Sequence, residues 1–191
     1  QVVEALSRAL RLSSVERAHL FHTAGLVPPG QGTVPAFITP SVQRMLDRLT
    51  YTPVAVFDAA CTLLLANPMY TALMGEFHGN DRNALWRNFL GAGTRVRHPP
   101  EGLLALQTAQ TAQLRATASK YPADHTVRRL VAELRAGSEL FTTLWDSGAM
   151  TRPDGARKTV DHPQVGAITL DCDVLTIDGA DEFDPNLNLI K

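Results

Sequence analysis

The chain has 191 residues, of which 45% are hydrophobic and 19% charged, with a formal net charge of -1. That balance places it among ordinary globular proteins and excludes disordered, collagen-like and strongly basic classes, so any nucleic-acid contact must be local rather than spread over the surface. The length suits one well-cored domain plus a fragment, or two small domains.

Residues 3–10 and 14–24 read as two helices separated by Arg11-Leu12-Ser13. Ser13 and Glu16 have the spacing of a capping box, and Gly25 is placed to stop the second helix. Val3, Leu6 and Leu10, then Val15, Leu20 and Phe21, give each helix one apolar face. Two short helices cannot bury those faces alone, so residues 1–26 are expected to be the end of a helical domain that starts upstream of Gln1. Residues 27–41 hold four Pro and two Gly with almost no charge, the composition of a linker. A domain is expected over 42–191.

That domain opens with a helix set by Thr39 and Pro40, a polar cap and a first-turn Pro, with Val42, Met45, Leu46 and Leu49 as its apolar stripe. Residues 54–57 and 62–66 are short apolar runs joined by Asp58-Ala59-Ala60-Cys61, which predicts a hairpin. Asn67-Pro68 starts a short helix through Met74, and 3.6-residue periodicity predicts helices over 82–90, 101–119, 124–136 and 138–147. Residues 157–161, 164–171 and 174–177 alternate as antiparallel strands, and a last strand is expected from Leu187. Strands at both ends with helices between them predict an α+β domain, an antiparallel sheet with helices on one face.

Chemistry-bearing motifs are sparse. The chain holds no Gly-x-Ser-x-Gly elbow, no His-Glu-x-x-His, no phosphate loop and no dinucleotide-binding glycine pattern, so no catalytic residue is assigned and no enzyme is expected. His19 and His22 are three apart on one helix, but no third ligand follows at a matching interval, and Asp178, Asp181, Glu182 and Asp184 lack calcium-loop spacing. No metal and no cofactor are expected. Cys61 and Cys172 lie far apart, each in an apolar run, which suits free thiols. Neither a leader segment nor an apolar stretch of spanning length is present, so no membrane contact is expected and the cytoplasm is the expected compartment.

Three separated passages appear in a recognisable order. They are EALSRALRLSSVERAHLFHTAGL at 4–26, LDRLTYTPVAVFDAACTLLLANPMYTALMG at 46–75, and a later passage containing ELRAGSELFTTLW and then HPQVGAITLD. Together they resemble MmyB-like regulators of the xenobiotic-response-element class, and DRNALWRNFLG, with Arg82, Asn83, Arg87 and Asn88, resembles the family's Arg-Asn block. The resemblance implies a transcription regulator in which a helix-turn-helix domain precedes a PAS-like domain that senses a small hydrophobic ligand, fatty acids among them. The helices that enter the major groove would lie upstream of Gln1, so no DNA-binding residue is assigned in this chain. The family's last strand runs on past the position of Leu189, and a homodimer follows from the two-fold symmetry of such operators.

The candidate ligand-binding residues carry two readings each. Asn67 either caps a helix or lines a pocket between sheet and helix, which Tyr70 would share. Arg87 and Asn88 either anchor a carboxylate, as a guanidinium does through two parallel hydrogen bonds, or make a surface ion pair. Phe89, Leu134, Phe141 and Trp145, with Trp86, Leu130 and Leu144 at related spacing, are core residues or an acyl-chain wall. His162 closes a turn or points a donor into the cavity. Two rivals to a ligand sensor stand: a dimerisation or recruitment module without ligand, and an enzyme acting on a small acyl substrate.

Overall fold

The computed structural model describes residues 2–12, 14–25, 32–148, 156–175, 182–183 and 189–190. They group into two compact units, Gln1–Gln31 with Ile177–Lys191, and Gly32–Thr176.

In the first unit, α1 (Val2–Ala9) and α2 (Ser14–Thr23) lie within a residue of their expected bounds. Each helix is followed by a residue in the left-handed region, Arg11 at φ 52 and Gly25 at φ 68. Leu6 and Leu10 of the expected apolar face stay exposed, while Phe21 is buried. Ser13, the expected cap, lies outside the described residues.

In the second unit, polar caps fix where each helix begins. Thr39 caps α3 (Pro40–Arg48), Asn67 caps α4 (Pro68–Met74) and Asn83 caps α5 (Ala84–Phe89). The long α6 (Pro100–Lys120) starts on a Pro instead, and Asp124 and Ser138 cap α7 (His125–Gly137) and α8 (Glu139–Ser147). Each cap oxygen accepts from a first-turn N–H that has no partner inside the helix.

The α+β class holds, with the strands grouped in small antiparallel sheets. β1 (Ala55–Phe57) pairs with β2 (Leu63–Ala66) as the expected hairpin. A separate sheet has the order β3-β4-β5, from Val96–Arg97, Ala156–His162 and Gly166–Cys172. The two-residue β3 was not expected; it exists because Val96 pairs with Val160 far along the chain. Residues 174 and 175, expected to open a further strand, are irregular, and both Val174 and Leu175 are exposed. In the first unit β6 (Glu182–Phe183) pairs with β7 (Leu189–Ile190), near the strand expected from Leu187. Asp178, Asp181, Asp184 and Leu187 itself lie outside the described residues.

The core of the second unit sits among α5, α6, α7 and α8, where Leu85, Leu114, Val127, Leu134 and Phe141 are all within 2% of complete burial. Each such side chain contributes roughly 1.5–3 kcal/mol by leaving water. Ala60 and Cys61, from the hairpin loop, join the same cluster. The loop turns inward because Asp58 Oδ1 accepts from the Ala60 and Thr62 N–H groups and Cys61 adopts φ 61. Asn83 Nδ2 donates to the Ala60 carbonyl at 2.8 Å and Thr117 Oγ1 to the Ala59 carbonyl at 2.7 Å, so α5 and α6 both hold it.

Candidate functional site

Arg87 is the buried cation of α5. It leaves the buried side of α5 with 7% of its surface exposed, yet among the described residues no carboxylate lies within ion-pair distance of it. Nη1 donates to the Asp81 carbonyl, the guanidinium carbon lies 4.0 Å from the centre of the Phe77 ring, and the buried Nε has no hydrogen-bond partner. Desolvation pulls the guanidinium below its usual range, opposed by the neighbouring acidic groups of Tyr70, Asp81 and Cys61. A cation kept from water and given one carbonyl and one aromatic face is short of negative charge.

Tyr70, on α4, belongs to the same neighbourhood. Burial raises its phenol, Arg87 works against that shift, and Cys172 adds to it. Its hydroxyl makes no hydrogen bond among the described residues. Cys172 accepts from Lys158 Nζ at 3.5 Å within the β4–β5 hairpin, and β4 packs against α4. Cys61 lies close enough to Arg87 to feel its charge, but burial pushes the thiol up to about 12, so it stays protonated.

A groove of about 310 Å³ opens beside this cluster. Its floor is the apolar run Leu63, Leu64, Leu65 and Ala66 of β2, and Phe77, which lies over Arg87, forms part of its wall. Residues 38–187 match the family model of the MmyB-like transcription regulator ligand binding domain, well over half of the chain. The chain belongs to that family. Comparison with curated proteins finds no match, and neither does comparison with solved structures.

Within this MmyB-like ligand-binding domain the expected site residues do not form one cluster. Asn67 uses its whole amide on the protein. Oδ1 accepts from the Val54 and Tyr70 N–H groups at 3.0 and 2.9 Å, while Nδ2 donates to the Leu49 and Thr52 carbonyls at 3.0 and 2.7 Å. His162 is likewise occupied: Nδ1 accepts from the Gln164 and Val165 N–H groups, which leaves the proton on Nε2, 3.0 Å from the Ala72 carbonyl. Both are therefore placed as a cap and a turn residue.

Arg87 and Asn88, adjacent in sequence, diverge because successive helical residues are about 100° apart. Asn88 Nδ2 donates to Gln110 Oε1 at 2.9 Å, on α6, away from the Asp81 and Phe77 partners of Arg87. Leu134 and Phe141 are completely buried core residues. Phe89 meets Phe141 edge-on at 5.2 Å, and the Trp145 ring lies 5.5 Å from that of Phe141. These aromatics form one packed group around α8.

Phe77 and the β2 floor were missed by sequence reasoning. A lone Phe between Gly75 and Gly79 was the available signal. Among the described residues, no group of three His, Cys, Asp or Glu side chains could hold a metal, and no helix is long and apolar enough to cross a membrane.

Proposed function

We propose that this chain is the effector-sensing region of a bacterial DNA-binding transcription regulator, and that its effector is a small hydrophobic acid of the fatty-acid type. Arg87 is the observation that carries the reading: a nearly buried cation with an unpartnered Nε and no carboxylate at hand. An incoming carboxylate supplies the missing charge, Tyr70 offers a hydroxyl donor beside it, and the β2 groove accepts the start of an acyl chain. Asn67, Asn88 and His162 act by holding the surrounding elements, and Leu134 and Phe141 by filling the core, against which Phe89 and Trp145 pack.

In the full regulator, residues 1–26 end a helix-turn-helix domain, 27–41 link it to the sensor, and 42–191 form the PAS-like sensor domain. DNA is contacted by the helix-turn-helix domain of two copies in the cytoplasm, and effector occupancy shifts how that homodimer sits on its operator. A second reading, a dimerisation module without ligand, is favoured by the packed helical core, since Leu85, Leu114, Leu134 and Phe141 are completely buried and the groove beside Arg87 is open.

Thermal unfolding with sodium decanoate separates the two. A ligand that binds only the folded state at about one hundred times its dissociation constant stabilises by about 2.7 kcal/mol. The sensor predicts a rise in melting temperature with decanoate and none in Arg87→Gln. A flat response over the soluble range of the acid favours the dimerisation module.

A further inference from the structure

We propose that Phe77 is a gate over the effector's head-group site, a ring that fills in for the anion at Arg87 and must swing away for a carboxylate to enter. The proposal rests on the effector reading above and deepens it. Nη1 of Arg87 is committed to the Asp81 carbonyl, which leaves the Nε–Nη2 edge. Nε is buried without a partner, and Nη2 makes no hydrogen bond among the described residues. Two parallel N–H groups on one edge of a guanidinium match the two oxygens of a carboxylate. The ring 4.0 Å from the guanidinium carbon stabilises the cation by its negative face but accepts no such bond.

The segment that carries the ring is built to move while its flanks are held. Gly75 and Gly79 bracket it at φ 83 and φ 53, the left-handed region that a side chain disfavours. A Cβ on Gly75 would lie 3.2 Å from Arg95 Nη2, close enough that the guanidinium would have to give by a few tenths of an ångström. Among the described residues neither the Glu76 nor the Phe77 backbone makes a hydrogen bond, and the exposed side chains of Glu76 and His78 pair only with each other, at 3.2 Å.

On one side, the last carbonyls of α4 are pinned. Arg95 Nη1 donates to those of Ala72 and Leu73, and His162 Nε2 donates to that of Ala72. On the other, Arg82 Nη2 donates to the Leu63 carbonyl at 2.7 Å and fixes the 3₁₀ turn Gly79–Arg82 to β2.

The size of the groove argues the same way. Its 310 Å³ is at the lower end of the roughly 300–1,000 Å³ of ligand pockets. Phe77 both lines the groove and lies over the guanidinium, so withdrawing it would open the apolar floor toward Arg87 as one amphipathic site. Arg87 is then the charge anchor and Phe77 the residue that couples its occupancy to the Gly75–Gly79 segment.

Calorimetric titration of the whole 191-residue chain with sodium decanoate, with 1-decanol as the uncharged control, tests this. Removing a ring that competes with the anion should tighten decanoate binding about fivefold in Phe77→Ala, with 1-decanol little changed. Phe77→Leu keeps the apolar volume without the aromatic face, and should shift the same way even if the Ala variant folds poorly. Hydrogen exchange in residues 75–79 should change when decanoate binds the wild-type chain. If wild type binds decanoate but the folded Phe77 variants bind it equally or more weakly, the gate is wrong and the effector site stands. If wild type and the folded variants all fail to bind, the effector reading itself is wrong and the gate goes with it.

Discussion

The Asp124 carboxylate, 4% exposed, accepts the Val34 backbone N–H at 2.8 Å across ninety residues of sequence while its other oxygen caps α7 through the Thr126 and Val127 N–H groups. One side chain thus ties the segment leading into the domain to a core helix. Burial works against its charge, but the three N–H donors, Val34 first, pull the carboxyl below the usual range. Because the folded value lies below the unfolded one, the stabilisation is complete above about pH 4, the ordinary aspartate range, and is lost as pH falls through the folded value. Asp124→Ala should destabilise by about 2 kcal/mol at pH 7, with the gap to wild type closing in strong acid. Asp124→Asn keeps one oxygen for the cap but loses the second acceptor, so it should release Val34. Denaturant titrations across pH, with exchange at the Val34 amide, check both; protection of Val34 unchanged in the Asn variant would refute the tie.

Asp58 has the opposite sign. Desolvation raises its carboxyl, against the Thr62 and Ala60 N–H bonds that lower it. A folded value above the unfolded one gives a contribution that is present in acid and lost as pH rises through the folded value. Asp58→Asn keeps Oδ1 for both N–H groups and removes the charge, so at pH 7 it should stay within about 1 kcal/mol of wild type or exceed it. Asp58→Ala removes the acceptor and should cost about 1–3 kcal/mol. Equal losses in the two variants, measured by urea unfolding, would mean that charge rather than acceptor geometry shapes the loop.

The two thiols should differ sharply in reactivity. Cys61 is buried with its thiol pushed up to about 12, whereas Cys172 is half-exposed beside Lys158. At pH 8 only about one part in ten thousand of such a Cys61 is thiolate, the form that reacts. Brief alkylation of native protein followed by peptide mass analysis should label Cys172 alone, and Cys61 only after denaturation. Comparable labelling at both would contradict the packing of the hairpin loop.

Sequence made four helix starts legible because a cap is local chemistry: Thr39, Asn67, Asp124 and Ser138 each bond within their own first turn, whereas the helix expected from Arg82 begins only at Ala84, behind a 3₁₀ turn and the Asn83 cap. The β4–β5 hairpin was legible for a similar reason, since Val160, Ile168 and Leu170 alternate with Arg157, Asp161 and Asp171 around a short turn. What escaped depends on partners distant in sequence. β3 is two residues whose strand character comes from Val160. The divergence of Arg87 and Asn88 appears only once Gln110 and Phe77 are in place. Asn67 and His162 carried ambiguous chemistry, and it was the carbonyls of Leu49, Thr52 and Ala72 that assigned it.

Close packing behind the anchor gives a further prediction. A Cβ on Gly91 would lie 2.8 Å from Arg87 Cα and 2.9 Å from the Arg87 carbonyl oxygen, backbone atoms that cannot rotate aside. Gly91→Ala should therefore push on α5 itself, destabilise by about 1–3 kcal/mol and weaken decanoate binding through a displaced Arg87. Gly148→Ala, at φ 70 with open space around it, is the control: backbone strain lowers its stability without touching Arg87. Decanoate affinity reduced equally in both folded variants would mean that the loss is general softening.

Arg87→Met sets stability against binding most directly. The substitution keeps a long side chain in a nearly buried slot while removing a cation that no described carboxylate neutralises. Apolar replacement of buried charge is often neutral or stabilising by about 1–4 kcal/mol, and forgoing the attraction between guanidinium and Phe77 ring offsets only about 0.5–2 kcal/mol of that. The variant should thus be as stable as wild type or more so, with an unchanged urea m-value. Decanoate binding should drop at least about tenfold, because a bidentate charge-assisted pairing is gone. A group kept at the expense of stability and required for binding is a functional group. If Arg87→Met instead unfolds the domain, the guanidinium is a structural strut between Asp81 and Phe77, and the anion site loses its foundation.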